Sequence, residues 1–170
     1  MSYDLNILCV NQKEAITKLP AKIQIYAEPQ NQEYTKYPKY YKNYCTTMNA
    51  VNGIWYYLMN EADGFSSFEL CDIRDVKDEY LEKLCPPWSG KEDAIDISVL
   101  CLREKYKQDV LDILEFFINQ SPIKTVFFHS RYQTFEEEKE FIMGTICFKR
   151  FVELLDNNQI LFNVCYVIKD

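Results

Sequence analysis

Asp75, Asp78, Glu79 and Glu82 stand at i, i+3, i+4 and i+7, the spacing that places four carboxylates on one stripe of an α-helix. At about 100° per residue, Val76, Tyr80 and Leu84 fall on the other side, so such a helix packs inward while showing an anionic ridge to water. Only Glu79 and Lys83 are placed for a favourable i to i+4 ion pair, so the ridge is not neutralised from within. The chemistry this arrangement offers is recognition of cations, not bond making. Asp63, Glu69 and Asp72 precede the ridge, and Trp88, Glu92 and Asp93 follow it beyond Pro86-Pro87. An aromatic ring among carboxylates suits a protein-binding hot spot aimed at Arg and Lys. The candidate partner-binding residues are therefore Asp72, Asp75, Asp78, Glu79, Glu82, Trp88, Glu92 and Asp93. A solvated helix face that merely aids solubility accounts for the same carboxylates. A calcium cage of the EF-hand type does not, because the loop spacing and its glycine are missing.

Residues 61–96 hold 11 acidic side chains against 4 basic ones, and the rest of the chain balances at 15 and 15. This one segment thus carries the whole net charge of -7. A segregated charge makes a local field, which attracts partners of opposite sign and speeds their encounter.

A second set of reactive residues is weaker. Cys45 falls near the start of a helix expected from Thr46, where the helix dipole lowers a thiol pKa, and His129 lies on a later strand. Together they suggest a thiol enzyme, but residues 43–49 match no nucleophile motif, and a histidine beside Phe127 and Phe128 reads as structural. Glu136, Glu137, Glu138 and Glu140 are nearly consecutive, the pattern of a solvated face. Glycine-rich phosphate loops are absent, and no cofactor is implied. Between Tyr34 and Tyr44, five tyrosines alternate with three lysines. Rings and cations together hold single-stranded nucleic acid in some proteins, yet an acidic chain repels phosphate, so nucleic acid is not the expected partner. Tyrosines on a long loop also suit a protein interface.

The seven cysteines form no CxxC pair and no regular framework, and His129 has no nearby cysteine with which to build a zinc site. In the runs Leu8-Cys9-Val10, Leu100-Cys101-Leu102 and Val164-Cys165-Tyr166 a reduced thiol acts as a small buried hydrophobe. Reduced thiols, together with an amino terminus lacking a basic and apolar leader, point to the cytoplasm. No apolar run approaches the ~20 residues that span a bilayer.

The elements that must position these residues follow from periodicity. Leu5, Ile7 and Cys9 alternate as an opening strand, and residues 22–27 alternate too and are placed to pair with it. Gln30 to Tyr44 reads as a loop. A helix is expected from Thr46 to Glu61 despite Gly53, a strand from Ser66 to Ile73, a helix from Asp75 to Leu84 and a strand from Ile95 to Cys101. The plainest helix runs from Arg103 to Asn119, with Tyr106, Val110, Ile113, Leu114 and Phe117 in one stripe. A strand over 123–130, a short acidic helix from Phe135 to Phe141 and a helix from Ile146 to Asp156 follow, the last with Phe148, Phe151, Val152 and Leu155 inward. Ile160 to Ile168 is almost continuously apolar, as in a strand buried on both faces. The whole reads as one α+β domain over residues 1–170, with a mixed sheet of five or six strands and four or five helices.

Phe127 to Ser130, Arg131, Glu136-Glu137-Glu138, Gly144-Thr145, Phe151 to Leu155 and Ile160 to Tyr166 together resemble the immunity proteins of bacterial polymorphic toxin systems. The resemblance covers about a quarter of the chain, in its last third. It implies a small acidic α+β cytoplasmic protein that binds and neutralises a cognate toxin, often a nuclease, and catalyses nothing. The expected partner is then a basic toxin domain whose phosphate-binding cations meet the acidic surface. These families diverge widely, so the resemblance transfers no binding residue.

Overall fold

Alternation of Leu5, Ile7 and Cys9 with Asn6, Leu8 and Val10 builds the strand at the centre of the molecule, β1 (Tyr3–Val10). The computed structural model describes residues 3–20, 25–29, 51–60, 71–73, 99–132, 141–161 and 164–170. Its strands are β1, β2 (Ile25–Pro29), β3 (Gly53–Asn60), β4 (Cys71–Ile73), β5 (Val99–Cys101), β6 (Thr125–Tyr132), β7 (Phe141–Cys147) and β8 (Val164–Lys169). The helices among the described residues are α1 (Glu104–Gln120) and α2 (Phe148–Asp156). Six strands form a mixed sheet in the order β2-β3-β1-β6-β8-β7, and β4 pairs with β5 apart from it. All neighbours are antiparallel except β7 and β8, whose parallel pairing needs a crossover that α2 supplies.

Register across the sheet sorts its side chains. Ile7 lies between Tyr56 of β3 and Phe128 of β6, and Phe128 faces Tyr166 of β8. These residues belong to the main core, with α1 contributing Val110, Ile113, Leu114 and Phe117, and α2 contributing Phe151, Leu154 and Leu155. The Phe151 ring meets Phe128 edge-on at 4.9 Å and Tyr166 at 5.8 Å, while Tyr56 lies 4.5 Å from Phe117. Such ring pairs contribute about 0.5–1.5 kcal/mol each beyond their buried area. The opposite face carries a second apolar cluster of Leu8, Val10, Phe127 and Cys165, with Trp55 and Val167 against it. Residues of β8 are therefore buried on both faces, as its apolar run predicts.

Helix α1 begins at Arg103 without a side-chain cap, and Glu104 places negative charge at its positive end. At its other end Ser121 closes the helix, and its buried Oγ donates to the Val10 carbonyl at 2.8 Å while accepting the Thr125 N–H at 3.1 Å. One hydroxyl thus fixes the turn between α1 and β6 to the end of β1. Helix α2 ends at Asn157, and Asn158 takes the left-handed conformation (φ 52°) that asparagine tolerates better than most residues.

Several expectations are corrected. The helix from Thr46 to Glu61 is not formed: residues 53–60 are strand β3, paired on both sides. Ile54, Tyr56 and Leu58 point to one face and Trp55 and Tyr57 to the other, and bulky aromatic side chains favour a pleated surface over a helix. Gly53 is the reason the strand can start there, since a Cβ on it would collide with the Cys9 carbonyl oxygen and lie 2.9 Å from Leu8 Cδ1. Strand β2 pairs with β3, not with β1. Ile146 and Cys147 belong to β7, a strand the periodicity does not show, and α2 starts two residues later than expected. Four or five helices are not observed among the described residues, which hold two. The expected helix from Asp75 to Leu84, residues 135–140 of the helix expected from Phe135 to Phe141, the loop from Gln30 to Tyr44, and residues 66–70 and 95–98 of two expected strands lie outside the described residues. Phe141 itself opens β7.

Candidate functional site

Asp72 is the one candidate partner-binding residue within the described part of the chain, at the middle of β4 opposite Leu100 of β5. Asp75, Asp78, Glu79, Glu82, Trp88, Glu92 and Asp93 lie outside it. They are nevertheless bracketed closely, because Ile73 pairs with Val99. The chain therefore leaves β4 at Ile73 and returns to β5 directly across from it, after 25 residues that contain all seven. A two-stranded stem fixes where residues 74–98 begin and end.

The stem is attached to the core by backbone bonds. Leu100 donates its N–H to the Ile160 carbonyl at 2.7 Å, and Val99 forms a β-bridge with Leu161. Leu161 in turn donates its N–H to the Tyr166 hydroxyl at 3.0 Å, and its carbonyl accepts from Ser130 Oγ at 3.4 Å. Leu100, Ile160, Leu161, Tyr166 and Ser130 are all buried. Asp72 is thus linked through Leu100, Ile160 and Leu161 to Tyr166 on β8 of the main sheet.

Topology brings two exits from the main sheet together. Strands β3 and β6 both run antiparallel to β1, so Asn60 and Tyr132 end at the edge of the sheet where β1 begins. Because β1 lies between them, these exits are roughly two strand spacings, about 10 Å, apart. Residues 61–96 follow the first exit and residues 133–140 the second. Together those two stretches hold 15 acidic and 5 basic residues, against 11 and 14 in the rest of the chain. The tyrosine-lysine stretch leaves β2 at Pro29 and re-enters at β3 near Gly53, at the opposite end of the sheet. The sequence shows the charge of each stretch, whereas their common origin appears only once strand order is known.

His129, the other candidate for chemistry, is 1% exposed on β6. Its register neighbours are Asn6 on β1 and Cys165 on β8, and Cys165 is 0% exposed. Of this row His129 and Cys165 are buried and Asn6 is half-buried. Cys45 lies outside the described residues. Of the other thiols, Cys9 is buried as its apolar run predicts, and burial pushes it up to about 12, far from a reactive thiolate. Cys147 is exposed at the start of α2. Burial, aided by Asp112, raises the Asp109 carboxyl on α1. No set of three His, Cys, Asp or Glu side chains among the described residues is arranged to hold a metal ion. No helix among them is long and apolar enough to cross a membrane.

No protein-family model, curated protein or solved structure matches this chain.

Proposed function

We propose that this protein is a non-catalytic binding protein of the cytoplasm, an immunity protein that neutralises a basic toxin domain by covering its active site with acidic surface. The observation that carries the reading is the 25-residue acidic excursion closed on the β4–β5 stem, beside two further acidic stretches, residues 61–70 and 133–140, that leave β3 and β6 at one end of the main sheet. Cationic side chains that hold substrate phosphates in a nuclease are the natural complement of such a surface. The pinned stem limits the ordering cost on binding, because two ends of the excursion are already fixed. In this account Asp75, Asp78, Glu79 and Glu82 supply the ridge, Trp88 a central anchor, and Asp72, Glu92 and Asp93 its flanks.

A thiol enzyme built on Cys45 and His129 needs its imidazole within reach of substrate, and the burial of His129 gives that alternative no support. A regulatory subunit shares the binding chemistry and differs in what is bound. Co-expression with the candidate toxin domain tests the proposal: the wild-type chain protects the cell, and the Asp75→Lys, Glu79→Lys, Glu82→Lys variant does not. Full protection by a variant that folds as well as wild type would overturn it.

A further inference from the structure

Cys71 and Cys101 are direct partners in the antiparallel β4–β5 ladder. Neither neighbours the other in sequence, and nothing in their spacing joins them. Leu100 turns its N–H away from β4 toward Ile160, so Leu100 and Asp72 form a non-hydrogen-bonded pair. In an antiparallel ladder the pair types alternate, which makes Cys71–Cys101 a hydrogen-bonded pair. The Cα atoms of such a pair stand about 5.5 Å apart, within the span of a disulfide. Cβ atoms of directly opposite residues share one face of the ladder about 4.5–5.5 Å apart, whereas a disulfide wants about 3.5–4.5 Å.

We infer that Cys71 and Cys101 are a redox pair that closes into a disulfide when the protein meets a peroxide, locking the stem of the acidic excursion. The thiolate of one cysteine attacks the peroxide, breaking its O–O bond and releasing water, and leaves a sulfenic acid. The second thiol displaces that hydroxyl as a further water, so two thiols lose two protons and two electrons while one hydrogen peroxide becomes two waters. Closure draws the two Cβ atoms roughly 1 Å closer than the ordinary ladder spacing. The residual strain keeps the bond reducible, as suits a reversible device. Closure makes a ring that contains residues 72–100 and thereby fixes the point from which Asp75 to Asp93 depart. The inference does not depend on what the acidic surface binds.

The test uses the reduced full chain, treated with hydrogen peroxide, alkylated and digested without reduction, with the linked pair assigned by fragmentation mass spectrometry. The expected product joins Cys71 to Cys101, returns to two free thiols in dithiothreitol, and raises the melting temperature by roughly 5 °C because a closed loop restricts the unfolded chain. Cys71→Ala abolishes both changes. Exposed Cys147 reports that the oxidant has acted. If Cys71 and Cys101 are still alkylated once Cys147 is oxidised, or if either prefers another cysteine, the inference is wrong, and this mapping decides even if the variant folds poorly.

Discussion

The hydroxyl of Tyr166, buried on β8 of the main sheet, accepts the backbone N–H of Leu161 at 3.0 Å. Through the Val99–Leu161 bridge and the Leu100 to Ile160 bond, this side chain, with Ser130, helps tie the acidic stem to the core. Tyr166→Phe leaves a buried N–H without its acceptor, at a cost of about 1–3 kcal/mol. The expected result is a lower melting temperature together with faster hydrogen exchange at Val99 to Leu102. Loss of global stability with unchanged exchange in β5 would show that the stem is held by other means.

Gly53 begins β3 where the chain passes against β1, and any Cβ there meets the backbone of Cys9. Backbone cannot step aside as a flexible side chain can. Gly53→Ala is expected to destabilise by about 1–3 kcal/mol, the range for overpacking. Chemical denaturation measures it, and an unchanged midpoint would mean that β1 and β3 separate more easily than their register implies.

Burial holds the Cys9 proton up to about 12 in the fold, against an ordinary value of 9.0, and burial is also the main cause that raises Tyr56. The folded state therefore keeps these protons to higher pH than the unfolded chain does. The stability that Cys9 contributes is complete below about pH 9 and is lost as pH rises through about 12. Melting temperatures of wild type are expected to fall more steeply between pH 8 and pH 10.5 than those of Cys9→Ala. Parallel slopes would remove Cys9 as a cause.

What the sequence shows depends on whether one period rules a segment. Strand β1, helix α1 and strand β6 each follow a single apolar pattern, and each forms within two residues of its expected bounds. Residues 46–61 carry apolar side chains that suit both a helix and a strand. Pairing with β1 and β2 decides the matter, and no local rule contains that pairing. Strand β7 escapes notice because Phe141 to Cys147 shows no alternation, includes Gly144 and directly follows the acidic run Glu136 to Glu140, and it exists through its partner β8. The acidic residues are legible one by one. That Asp72 sits opposite Leu100, and that β3 and β6 end side by side, are facts of strand order, which pattern does not encode.

Association that rests on an acidic surface is sensitive to screening. At 0.15 M salt the Debye length is about 8 Å, and at 1 M about 3 Å. Capture of a basic partner is expected to slow at least tenfold between 0.05 and 0.5 M salt, with dissociation changing less. Stopped-flow binding measures both rates, and a salt-independent association rate would point to an apolar contact instead.

Affinity capture from the native host at low salt compares wild type with the Asp75→Lys, Glu79→Lys, Glu82→Lys variant as bait. The account predicts that wild type retains a small basic protein with nuclease or other toxin activity, and that the variant, with an unchanged melting temperature, loses it. Equal retention of that partner by the folded variant would contradict the account.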